Sequence, residues 1–238
     1  GLPRQSIRSN APTAASPVVL GAAGVDLFRD DESGGAPEHL EAPDADLLLF
    51  RHLDLGAPES EVFRSLLDAV AWRREQITLF GKTHWQPRLL AWYGDPDASY
   101  RYSGKRYDPQ PWLPELEDLR ARVEAVSGAR FNSVLANLYR DGSDSMGLHA
   151  DDEPELGEHP VIASLSLGQE RVFRLKHRER QDLKPLRLAL PGGSLLVMRG
   201  PTQRYWRHEV PKSRRPCGPR INLTFRLVKP RGEAVNRR

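Results

Sequence analysis

Among 238 residues there is one cysteine, Cys217. An internal disulfide is therefore excluded, and so is a zinc or iron–sulfur site built from several thiolates. Long apolar runs are missing as well. The longest, such as Leu89–Tyr93, span four or five residues, far short of the roughly 20 that a membrane-crossing helix needs. No segment repeats internally. Residues 1–46 lack a sustained hydrophobic period and are rich in Ala, Pro, Gly and Ser, which reads as a flexible tail. What is present suffices for a packed body. The chain is 39% hydrophobic and 28% charged, and residues 47–238 are expected to form a single domain.

The net charge of +3 hides an asymmetry. Residues 1–46 hold three basic and eight acidic side chains, whereas residues 199–238 hold twelve Lys/Arg and two Glu. Such a basic end attracts polyanions, nucleic acid first among them, although a solvated basic surface has the same composition.

Hydrophobic spacing predicts two helices. Over residues 58–73, Val62, Phe63, Leu66, Leu67 and Val70 share one face behind Pro58. Over 114–127, Leu116, Leu119, Val123 and Val126 recur between Pro114 and Gly128. Residues 77–112 are aromatic and punctuated by Pro and Gly, and read as short strands and loops. After Gly128 come seven short strand candidates without intervening helices: 131–140, 161–167, 171–176, 185–190, 194–199, 204–210 and 220–228. That pattern predicts a mainly β, α+β molecule built as an antiparallel sandwich or barrel.

Three groups of residues point to chemistry. In Arg220–Arg226 (RINLTFR), Arg220, Asn222, Thr224 and Arg226 fall on one strand face and Ile221, Leu223 and Phe225 on the other. Two guanidinium groups and an amide on one face suit a polar cavity that holds an anion. Asn137 and Tyr139 likewise share a face in NSVLANLYR. In His149-Ala150-Asp151, an extended backbone aims imidazole and carboxylate the same way. A further imidazole, best supplied by His208, completes the two-histidine, one-carboxylate triad of non-haem Fe(II) oxygenases. Arg220 or Arg226 could grip the far carboxylate of an anionic chelating co-substrate in a bidentate fork.

These residues lie in segments that resemble the AlkB family of Fe(II)- and 2-oxoglutarate-dependent dioxygenases. The segments are NSVLANLYRDGSDSMGLHADDEP, PVIASLSLGQERVFRLKHR, LPGGSLLVM, HEVP and PRINLTFR. Upstream, ITLFGKTHWQPRLLAWYGDPDASYRYSG resembles the nucleotide-recognition lid of the family's repair enzymes, and the likeness spans about residues 47–228. It implies a double-stranded β-helix (jelly roll), with its core at about 130–228 and an N-terminal lid at about 75–112. It implies Fe(II) on His149, Asp151 and His208, and 2-oxoglutarate and O2 as co-substrates. Arg220 would pair with the 2-oxoglutarate carboxylate, and Asn137, Tyr139, Asn222 and Arg226 would line that pocket. Phe80, Arg88, Tyr100, Tyr102 and Glu153 match positions that meet the damaged nucleotide.

The implied reaction is oxidative demethylation of 1-methyladenine and 3-methylcytosine, releasing formaldehyde, succinate and CO2. These bases are cationic and have lost Watson–Crick pairing, so extruding them costs less than extruding intact ones. Single-stranded DNA is the favoured partner, with duplex DNA or RNA as further ones. A monomer in the bacterial cytoplasm, or in a nucleus or organelle if the source is eukaryotic, is the default setting. Two other readings stay open: a dioxygenase acting on RNA, protein or a small molecule, and a non-catalytic nucleic-acid-binding module.

Overall fold

A computed structural model describes residues 36–79, 81–102 and 105–229. The chain runs through β1 (Glu38–Leu40), β2 (Asp46–Phe50), α1 (Glu59–Ala69), β3 (Arg73–Leu79), β4 (Lys82–Gly94), β5 (Tyr100–Tyr102) and β6 (Lys105–Tyr107). It continues with α2 (Pro114–Ser127), β7 (Ser133–Tyr139), β8 (Met146–His149), β9 (Ile162–Gly168) and β10 (Arg171–His177). It ends with β11 (Leu186–Leu190), β12 (Leu195–Arg199), the single turn α3 (Thr202–Tyr205), β13 (Trp206–Val210) and β14 (Arg220–Arg226). Among the described residues no helix is long and apolar enough to cross a membrane.

Two antiparallel sheets face each other as in a jelly roll. The large one has the order β1-β2-β12-β9-β14-β7-β4-β3, and the small one β11-β10-β13-β8. Period-two alternation gives the large sheet two buried faces. On β14, Ile221, Leu223 and Phe225 join Leu66 of α1, Val70 just after it, and Leu116, Leu119 and Val123 of α2 in one core. A second core fills the space between the sheets, with Leu49, Ile162, Leu175, Leu196 and Trp206 among its members. Arg220, Asn222, Thr224 and Arg226 occupy the other face of β14, and every residue of that strand is buried. The helix side thus stabilises the strand while its inner side is given over to polar groups.

The helices follow their sequence signals. Pro114 opens α2, and Gly128, at φ 68°, closes it in the left-handed conformation that glycine adopts without a Cβ clash. Val126 does not join the core and is 41% exposed. α1 stops at Ala69, short of residue 73, because Val70 is already extended. Tyr205 belongs to α3 rather than to the strand predicted over 204–210; the Thr202 hydroxyl donates to the Arg199 carbonyl at 2.6 Å, favouring a turn there.

The body also begins earlier than the sequence indicates. Residues 38–40, expected to lie in the tail, form β1 and pair with β2 through Glu38↔Leu49 and Leu40↔Leu47. The same segment is fastened where Trp206 Nε1 donates to the Pro43 carbonyl at 2.9 Å. The remainder of the predicted tail, residues 1–35, lies outside the described residues.

Candidate active site

Two neighbouring strands and the loop after one of them bring the metal-ligand candidates together. β13 and β8 pair antiparallel with His208 opposite His149. Directly opposed residues project to one face, and the two ring centroids lie 4.4 Å apart. Asp151 follows His149 by two residues, which returns its side chain to that face. One donor atom from each of His149, Asp151 and His208 falls within 4.8 Å of the others.

Their protonation states suit a cation. His149 Nδ1 stands 2.8 Å from the Gly147 carbonyl oxygen. That oxygen can only accept, so Nδ1 carries the hydrogen and Nε2 presents a lone pair. Burial pushes the His149 imidazole below its ordinary value and the His208 imidazole down to about 3, keeping both neutral. Burial alone would raise the Asp151 carboxyl. Arg226, whose Nη2 donates to Asp151 Oδ1 at 2.8 Å, outweighs it together with the two imidazoles, and the carboxyl lies at about 2. The other oxygen, Asp151 Oδ2, is buried without a hydrogen bond. Two neutral imidazoles and a carboxylate with an unused oxygen fit Fe(II) and leave further coordination positions for co-substrates.

An inner chamber of about 20 Å³ opens beside the triad against Tyr139, Phe173, Met198, Arg220 and Asn222. Arg220 is 1% exposed. Its Nη2 donates to Ser166 Oγ at 2.9 Å, whereas Nε and Nη1 are buried without an acceptor. Its guanidinium lies 5.2 Å from the centre of the Tyr139 ring, and burial lowers its pKa from the ordinary value. A buried cation with two unused donors calls for an anion, and a dicarboxylate such as 2-oxoglutarate fits that need. Asn222 has less to offer. Its amide hydrogens go to Ser164 Oγ at 2.8 Å and the Leu165 carbonyl at 3.2 Å, and its Oδ1 accepts from the Thr224 hydroxyl at 2.9 Å. Asn137 Oδ1 accepts from Arg88 Nε at 2.7 Å, while Asn137 Nδ2 is buried without a partner.

An outer cavity of about 270 Å³ adjoins His149 and Asp151 of the triad. Its apolar wall includes Ile77, Leu90, Trp92, Leu135 and Leu148, and its polar lining includes Gln86, Arg88 and Glu153. Met146, His149, Asp151 and Arg226 line both spaces and His208 the inner one, so the triad meets the outer cavity through His149 and Asp151. Burial and then the Asp151 carboxylate push the Glu153 carboxyl up to about 7.

The structure thus gathers His149, Asp151, His208, Tyr139, Arg220, Asn222 and Arg226 in one chamber wall, and sets Arg88 and Glu153 in the other. Tyr100 and Tyr102 lie on β5, facing Tyr107 and Lys105 of β6 in register. Phe80 lies outside the described residues. Sequence reading missed several participants. Gln203 Oε1 accepts from the Asp151 backbone N–H at 2.9 Å, and no local pattern announces it. Gln86 is a second. Ser164 and Ser166 had a signal: they alternate in IASLSLG, as a strand with one polar face must.

A metal triad between an anion-binding chamber and an apolar cavity, on a jelly roll, defines a 2-oxoglutarate-dependent Fe(II) oxygenase. The family model described as the 2OG-Fe(II) oxygenase superfamily matches residues 55–226. The mouse protein named DNA oxidative demethylase ALKBH2 is 39% identical over 83% of this chain and 90% of its own length. The mouse alpha-ketoglutarate-dependent dioxygenase alkB homolog 3 is 42% identical over 71% of this chain and 61% of its own length. Among solved structures, OsALKBH1 superimposes with a TM-score of 0.55 at 19% identity, covering 80% of this chain and 99% of that one, a likeness of fold. The chain belongs to the AlkB family of 2-oxoglutarate- and Fe(II)-dependent dioxygenases.

Proposed function

We propose that this enzyme repairs alkylated DNA by oxidative demethylation of 1-methyladenine and 3-methylcytosine. The carrying observation is the place of the triad, between a chamber with a buried guanidinium and an apolar cavity of about 270 Å³. The relative named DNA oxidative demethylase, matched along 90% of its length, supports DNA as the substrate. Fe(II), O2 and 2-oxoglutarate, when bound, would supply the oxidation: one oxygen atom goes to the methyl carbon and the other to succinate as CO2 is lost, and the hydroxylated carbon then leaves as formaldehyde.

The protein's own contribution is placement. His149, Asp151 and His208 hold the metal, and Arg226 keeps Asp151 ionised and aimed. Arg220 takes the distal carboxylate of 2-oxoglutarate in the inner chamber, with Tyr139 against its guanidinium. Asn137 stands opposite Asn222 in register, outside the residues lining that chamber. The outer cavity takes the extruded base. Its apolar wall excludes water from the reacting carbon. The Glu153 carboxyl, when ionised, favours a cationic ring over a neutral one. Arg88 is held in the wall of the outer cavity by its bond to Asn137 of β7. Tyr100, Tyr102 and Phe80 are assigned to the lid over the base. Single-stranded DNA is the form we favour, with duplex DNA and RNA as further forms.

The test is product mass spectrometry on oligonucleotides that carry one 1-methyladenine or 3-methylcytosine, offered as single-stranded DNA, duplex DNA and RNA. A product lighter by one CH2, formed only with Fe(II) and 2-oxoglutarate present, is expected. Succinate formed without any change in these oligonucleotides would redirect the chemistry to another substrate.

A further inference from the structure

Gln86 is an uncharged polar side chain in the outer cavity, and like Glu153 it has no hydrogen bond to another side chain there. Its neighbour on the same face of β4, Arg88, is pinned through Nε to Asn137. Asp151 is held by Arg226, and the imidazole N–H of His149 goes to Gly147. Gln86 is 7% exposed and lines the cavity, yet its amide makes no hydrogen bond within the described residues. A ligand that supplies this largely buried amide with a partner gains a hydrogen bond by it.

The position is fixed. β4 pairs with β7 only from Leu89 onward, so Gln86 stands on the part of β4 that extends past β7 and keeps β3 as its neighbour, at the register shift opposite Arg74–Gln76. That stretch is fastened where Ser145 N–H donates to the Pro87 carbonyl at 2.9 Å, next to β8 and its ligand His149. Among the described residues Gln86 is the one side-chain amide lining this cavity. An arginine only donates and repels a cationic base, and an ionised carboxylate only accepts. A neutral amide does both.

We propose that Gln86 reads the extruded base, accepting from its exocyclic amino group and donating to N7 of methyladenine, and so ranks methyladenine above methylcytosine. This deepens the repair reading and rests on it. With the N-methyl group at the triad, the amino group flanks it in both lesions. Beyond the amino group, adenine offers the N7 acceptor and cytosine only a C–H. The amide therefore makes two bonds to adenine, in the bidentate pairing glutamine uses on that base elsewhere, and one to cytosine.

The experiment measures kcat/KM on single-stranded oligonucleotides carrying 1-methyladenine, 7-deaza-1-methyladenine or 3-methylcytosine. For Gln86→Leu the adenine-to-cytosine ratio should fall about tenfold, the order of one bidentate base contact. Loss of N7 should penalise the wild type by a comparable factor and the variant not at all, the mark of a direct pair in a double-mutant cycle. Gln86→Glu keeps an acceptor and loses the N7 donor. It should likewise be blind to N7, and it serves if the leucine variant does not fold. An unchanged or reversed ratio, or an N7 penalty that persists in both variants, overturns the assignment. A wild type inactive on both methylated bases would instead remove the parent reading, and this one with it.

Discussion

Arg220 shows how one side chain is prepared for its partner. It sits on the inner face of β14 with two N–H groups unused, against the Tyr139 ring. Arg220→Lys should raise the KM for 2-oxoglutarate about tenfold or more, since an ammonium replaces a planar fork with a point charge. Succinate formation over a range of 2-oxoglutarate concentrations measures it, and an unchanged KM would remove Arg220 from the pocket. This residue was legible in the sequence because a strand that alternates Arg, Asn, Thr and Arg with Ile, Leu and Phe declares a polar inner face. The pair His149 and Asp151 was legible for a similar reason, a spacing of two in extended chain. Gln203 and Gln86 were not. Gln203 meets Asp151 across 52 positions of sequence, and a lone neutral glutamine carries no local signature of what folding sets beside it.

Among the elements, the turn that ends β9 bears on the site most directly. Gly168 has φ 81°, and a Cβ there would lie 2.6 Å from the Pro219 carbonyl oxygen and 2.7 Å from the Phe63 ring. Its register partner is Arg220. Gly168→Ala should therefore cost about 2 kcal/mol or more of stability, read from the denaturant midpoint, and should also raise the KM for 2-oxoglutarate as the start of β14 shifts. A wild-type midpoint would show that the turn relaxes freely. Two elements with a full period were read well: α2 spans the predicted residues 114–127, and β14 lies within 220–228. The 13-residue β4 (Lys82–Gly94) was not, since the stretch 77–112 read as short strands and loops. Shorter ones escaped. β1 has three residues and an exposed pattern, and β8 has four. Neither is long enough to display alternation, so pairing with β2 and β13 is what makes them strands.

For the molecule as a whole, charge and architecture act together. The twelve basic residues after position 198 face only two acids in sequence. Binding to a methylated single strand should therefore weaken linearly in log–log form as salt rises, by about 0.7 decades per decade for each phosphate neutralised. Fluorescence anisotropy measures the slope, and a flat response would argue that phosphate contacts contribute little. The iron ligands stand at one edge of the small sheet, and the large sheet reaches them through Arg226. β8 is an edge strand whose one partner in the sheet is β13, with an irregular register between His208 and Val210. Its His149 meets His208 from that partner, and the Asp151 that follows reaches across to Arg226 on the large sheet. A bound cation is then a clasp at the seam. Stripping it with a chelator should lower the melting temperature and speed amide hydrogen exchange in β8 well before β14 responds, because the strand with the fewest neighbours is the first to fray.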